Sequence, residues 1–135
     1  MLSKIIDTYT SLGCWKDKEH DRAIPTLEGK SSLLDGSSDS RKDPIQKCFE
    51  AAKYLGYDVF AIQAGGWCSS SATAQSTYKK HGTSVACNAD GEGGESSNTV
   101  YEIIQGRLLI QMMIDQILNH LYNILYSYLI ECKLF

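Results

Sequence analysis

Four cysteines spread through a polar body limit what this chain can fold into more than any other feature. Cys14, Cys48, Cys68 and Cys87 lie in a stretch rich in Gly, Ser, Lys and Asp, while Cys132 sits in a tail of different composition. A structural zinc site draws on closely spaced thiolates, and no CxxC pair is present. Widely separated cysteines in a 135-residue chain read instead as two disulfides that support a modest core. Three connectivities are open, and spacing alone does not select one. Disulfides imply an oxidising compartment. The opening MLSKIIDTYTSLGCW is not a signal peptide, because Asp7 follows Ile5 and Ile6 at once and no apolar core forms. The expectation is an extracellular chain that is a piece of a longer secreted protein, or one whose start is mis-assigned. A cytosolic chain with free thiols is the less favoured alternative.

The chain reads as one domain with two flanks: a poorly ordered leader at 1–11, a module at 12–105 and an apolar tail at 106–135. In DPIQKCFEAAKYLGY, Asp43 is a candidate N-cap and Pro44 suits the first helical position. Ile45, Cys48, Phe49, Ala52 and Leu55 then share one helical face, and Gly56 suits the left-handed residue that ends the helix. Val59–Ile62 is a continuous apolar run, which suits a short strand buried on both sides. SSSATAQSTYKKHG reads as a second, shorter helix capped by Ser70 or Ser71 and ended by Gly82, with His81 at its final carbonyls. TVYEII reads as a strand that closes a sheet, and SLGCWKD and RAI as short edge strands. Cys48 on the inward helix face and Cys68 after the central strand are placed to pair. Cys14–Cys87 would then tie the ends of the module together. The fold expected is α+β, a small disulfide-stabilised antiparallel sheet packed on one main helix, with a C-terminal apolar helix beyond it.

LGCWKDKEHDRAIPTLEG resembles the opening of WSC-type modules, and Cys48 on a helix before YDVFAIQAGGWC resembles the helix-Cys, strand-Cys order of WSC and PAN/apple domains. From Leu12 to Ile103 the order GCWxD, RAIxTLEG, a Cys-bearing helix, VFAxQxGGxC, ACxxDGxGG and NxVY is similar to an extracellular module of invertebrate secreted and adhesion proteins. The chain departs from WSC modules in having four cysteines in that stretch, fewer than those modules usually carry. The resemblance implies a non-catalytic extracellular recognition module, carbohydrate-binding or matrix-protein-binding, with a role such as cell adhesion. The alternative is a purely structural disulfide-stapled spacer in a larger secreted or membrane-anchored protein.

A nucleophilic Cys68 needs a nearby base and an orienting group, and His20, His81 and His120 are not evidently placed for it. A disulfide is the better reading, so no catalytic residue and no cofactor is assigned. Trp15 and Trp67 flank cysteines and either pack over the cystines or offer a stacking face to a sugar ring. Trp15, Trp67, Arg22 and Gln63 are the candidate ligand-binding residues, although Arg22 also has Asp17 as a natural ion-pair partner. Asn88, Asp90 and Glu92 have the spacing of half a calcium loop, but Thr99 stands where the bidentate Glu belongs, so they are at most a weak metal candidate. A net charge of −3 without a basic stripe argues against a nucleic-acid partner.

The tail from Leu108 to Ile130 is the only stretch with a possible membrane role. Gln111, Asp115, Asn119 and Asn123 interrupt it, and an amphipathic helix with Ile110, Ile114, Ile117, Leu121 and Leu125 among its apolar residues fits better. Its Ile-, Leu-, Asn- and Tyr-rich composition also suits sequence foreign to the module, such as translated non-coding sequence.

Overall fold

The computed structural model describes residues 6–133; residues 1–5 of the expected leader, and the side chains of Leu108 and Leu109 in the tail, lie outside the described residues. The expected main helix forms as α1, Pro44–Tyr54, with Cys48, Phe49, Ala51 and Ala52 buried. It ends as the glycine predicts. Gly56 takes φ 76°, its N–H donates to the Lys53 carbonyl and the Tyr57 N–H to the Ala52 carbonyl, both at 3.0 Å, which is a Schellman closure. Its start differs from expectation. Asp43 makes no side-chain cap and adopts left-handed backbone at φ 50°. A side-chain cap requires extended backbone at that residue, and the left-handed turn, which Asp tolerates, leaves the carboxylate without an amide to accept from. Leu55 stands at the C-cap and is exposed rather than on the buried face.

Four strands build one sheet in the order β1-β4-β2-β3. They are β1, Thr8–Lys16, β2, Val59–Gln63, β3, Trp67–Ser70, and β4, Ser97–Ile104. β2 is buried along its whole length and pairs antiparallel with β3 (Ile62 opposite Cys68) and with β4 (Ala61 opposite Val100). Alternation along β2 feeds two cores. Phe60 and Ile62 join Cys48, Phe49 and Tyr101 on the α1 side, while Val59 and Ala61 join Ile24, Ala74 and Val100 on the other.

Several expectations change. Cys68 lies on a separate strand, β3, rather than at the end of the central one. The glycines of Gln63–Trp67 make a hairpin, with Ala64 and Gly65 at φ 48° and 85° and the Gly66 N–H donating to Gln63 O at 3.2 Å. TVYEII lies inside the sheet, between β1 and β2, rather than closing it. RAI forms no strand; Pro25 follows it at once and cannot donate to a ladder, and only Thr26 bridges to Ser69. β1 begins inside the stretch expected to be leader, because Tyr9 has a place in the core. Its ring lies 5.0 Å from Phe49 and 5.5 Å from Phe60. The second helix shrinks to α2, Ala74–Thr77, preceded by Thr73 without a side-chain cap; Ser71 instead closes a local turn onto the Thr73 N–H.

Two disulfides are present, Cys14–Cys87 and Cys48–Cys68. The molecule is thus a small disulfide-stabilised α+β fold, and its cystines belong to an oxidising environment. Two compact units divide the chain. Tyr9–Ile104 is one; the residues before Tyr9 and those from Gln105 onward form the other. The second contains α3, Gly106–Lys133, whose first N–H donates to Asp7 Oδ1 at 2.9 Å. No helix among the described residues is long and apolar enough to cross a membrane.

Cys48 and Cys68 are 20 residues apart. Closing a loop of that size is worth roughly 3 kcal/mol by chain entropy. The double variant C48A/C68A should therefore lower the Tm of the Tyr9–Ile104 unit, followed by near-ultraviolet circular dichroism, by about 12–24 °C. A fall below ~4 °C would show that the crosslink is dispensable.

Candidate functional site

The segment between β1 and α1 has little regular structure, only two 3₁₀ turns at Ser32–Leu34 and Ser38–Ser40. Side chains hold it instead. Arg41 reaches inward with a side chain only 1% exposed and meets Glu28, which is 16% exposed. The pair is bidentate, with Nη1 to Oε1 and Nη2 to Oε2 both at 2.7 Å. The same two nitrogens donate to the carbonyls of Gly66 and Leu34 at 2.6 Å. The Cys68 N–H donates to Glu28 Oε1 at 2.8 Å. Gly66 is needed at this point because a Cβ there would collide with the Ser38 carbonyl. Burial pushes the Glu28 carboxyl up, but hydrogen bonds from Arg41 and from the Cys68 amide, with the guanidinium charge, outweigh it and hold it below the usual range.

This clamp sets the wall of a shallow groove. Lys30, Ser31, Ser32 and Leu33 form one side, and Tyr54 and Leu55 at the end of α1 the other, around about 420 Å³. Tyr54 is 86% exposed. The groove thus combines an open aromatic ring, two hydroxyls and an ammonium, the mixture of apolar wall and convergent polar groups that orients a small polar ligand.

The four expected ligand residues fall in two places. Gln63 sits opposite Trp67 across the β2–β3 pair, and its Oε1 accepts from Arg22 Nη1 at 2.9 Å. Arg22 Nη1 also donates to Asp17 Oδ2 at 2.5 Å, and Gln63 Nε2 donates to Glu95 O at 2.9 Å. Asp17 Oδ1 in turn accepts from the Ala23 N–H. Arg22 and Gln63 therefore have partners within the fold. Trp67 is partly buried, and its Nε1 has no partner. Trp15 is elsewhere. Its ring packs edge-on against Tyr78 at 5.1 Å, Lys79 Nζ lies 5.6 Å above it, and its Nε1 donates to Leu12 O. Neither tryptophan lines the groove at Tyr54.

Cys68 is bonded to Cys48 and carries no thiol. His81 does not return to the carbonyls of its own helix end; its Nε2 lies 2.6 Å from Asp21 O, where Asp21 also pairs with Lys80. In the glycine-rich loop, Asp90 Oδ1 accepts from the Glu92 N–H at 2.8 Å, and burial and the Asp90 charge push the Glu92 carboxyl up. Asn88, Asp90 and Glu92 are not joined by further carboxylates; no cluster of three or more His, Cys, Asp or Glu that could hold a metal ion occurs among the described residues. Reading the sequence missed Arg41, which nothing distinguishes from other loop arginines before its burial is known. Tyr54 carried a signal, since an aromatic residue falls on the polar side of the α1 pattern.

The Glu28 carboxyl predicts a pH dependence. Its folded pKa lies below the ordinary 4.5, so its contribution is complete above that value and is lost as pH falls through the folded pKa. Chemical unfolding from pH 7 to pH 3 should show an acid loss of stability that is shallower in Glu28→Gln, although that variant starts lower at pH 7. Parallel pH profiles for the two proteins would contradict this. No protein-family model matches the chain, and no curated protein matches it.

Proposed function

We propose that Tyr9–Ile104 is a non-catalytic recognition module that works outside the cell and binds carbohydrate through the groove at Tyr54. The observation that carries this is the Tyr54 ring, 86% exposed beside Lys30, Ser31 and Ser32. An aromatic ring held open to solvent offers an apolar face to a pyranose ring, and neighbouring hydroxyl and ammonium donors fix its orientation. The two cystines support the extracellular setting. The resemblance to WSC and PAN/apple modules supports the same class of function. Trp15, Arg22 and Gln63 serve the fold, because Trp15 is covered by Tyr78 and Lys79 and Arg22 and Gln63 bond to each other. That coverage also favours a second reading, a structural spacer without a ligand.

A glycan array probed with the full chain separates the two. The wild-type protein should bind a subset of glycans, and Tyr54→Ala should weaken that binding about tenfold, the loss of one stacking contact. Its Tm should stay within about 2 °C of wild type, since an exposed side chain contributes little to folding. Equal binding by both proteins would remove the groove as the site. No binding by the wild type would favour the spacer.

A further inference from the structure

The pattern of α3 has not yet been given a partner. Numbering heptads so that Cys132 falls at position a places Leu118 and Leu125 at a, and Ile114, Leu121 and Tyr128 at d. Ile117 and Ile124 follow at g, seven residues apart, with Ile110 one heptad before them. The polar residues Asp115, Gln116, Asn119, His120, Asn123 and Ser127 all fall at b, c, e or f. Leu118, Leu121, Leu125 and Tyr128 are each at least half exposed. The helix therefore carries an unbroken a/d/g stripe from Ile114 to Tyr128, with Cys132 on the same line and its side chain exposed.

Such a stripe is the surface one helix presents to another like it. We infer that α3 pairs with α3 of a second copy of this chain, parallel and in register, and that a Cys132–Cys132 disulfide closes the pair. Two observations select this occupant. The 3-4 spacing is that of a coiled-coil seam and keeps every polar side chain between Ile114 and Cys132 off the a and d positions. Cys132 is the cysteine left over once the other four have paired, and it stands at an a position, where each residue of a parallel pair faces its own counterpart. An antiparallel pair would separate the two sulfurs by most of the helix length, about 40 Å.

The covalent step balances through a low-molecular-weight disulfide such as oxidised glutathione. One Cys132 thiolate attacks it, forming a mixed disulfide and releasing one glutathione thiol. The second chain's Cys132 thiolate then displaces the other glutathione, leaving the interchain S–S bond. Each Cys132 loses one proton and one electron, and the oxidant is reduced to two thiols.

The test uses the full chain in a glutathione redox buffer, with light scattering after size exclusion and non-reducing electrophoresis. The wild type should run at twice its 15.0 kDa mass and return to that mass with reductant under denaturing conditions. Cys132→Ser should lose the covalent band and remain a dimer in solution at about 100 μM. The seam variant L118D/L125D should be monomeric and form the interchain bond at least tenfold more slowly, with the other two disulfides intact by peptide mapping. A monomeric Cys132→Ser protein, or crosslinking of the seam variant at the wild-type rate, would overturn the proposal. So would a monomer that instead co-pellets with phosphatidylcholine–phosphatidylserine vesicles, since the stripe would then face lipid.

Discussion

A guanidinium withdrawn from water needs acceptors, and the loop architecture of this protein follows from where the two Nη atoms of Arg41 find them, its buried Nε being left without a partner. Both carboxylate oxygens of Glu28 and the carbonyls of Leu34 and Gly66 converge on it. Those four groups come from three segments: the turn after Thr26, the first 3₁₀ turn, and the distant β2–β3 hairpin. Removing either charge would leave the other buried without compensation, a loss of about 3–5 kcal/mol. The ion pair thus specifies where the irregular segment lies more than it adds net stability, since two well-packed apolar residues could fill the same space.

The disulfides and the clamp meet at one strand. β3 carries Cys68, whose side chain is bonded to α1 through Cys48 and whose N–H is held by Glu28. The Cys68 carbonyl accepts from the Leu27 N–H, so the edge of the sheet is covered by the same segment that the clamp fixes. Helix, hairpin and loop are therefore joined within a few residues. This rigid corner positions Tyr54 at the end of α1 opposite Lys30–Leu33, so the proposed binding groove derives its shape from the fold's most constrained point.

Elements with strong local signals were legible in the sequence. The Pro44 start, the Cys48, Phe49 and Ala52 face and the Gly56 stop located α1, and the unbroken apolar run of Val59–Ile62 located the central strand. Those two placements put Cys48 and Cys68 within reach of each other, while the choice among the three connectivities came from the fold. What was not legible depended on tertiary contacts. Tyr9 looks like leader until Phe49 and Phe60 are beside it. TVYEII alternates in the manner of an edge strand, yet pairs on both sides. The bond between Arg22 and Gln63 spans 41 residues, a contact that no local pattern announces. Arg41 had no sequence signal at all, because burial of a single loop arginine is decided by acceptors that come from elsewhere in the chain.

The claim on which this account rests is that Arg41 and Glu28 act as one unit. A double-mutant cycle of Glu28→Gln, Arg41→Met and the two combined, read by urea unfolding at pH 7, measures that coupling directly. Each single variant should lose about 3–5 kcal/mol and the double variant much less than the sum, with a coupling of at least ~2 kcal/mol. Losses that add within ~0.5 kcal/mol would mean that the two side chains act independently and that something other than the clamp holds the loop.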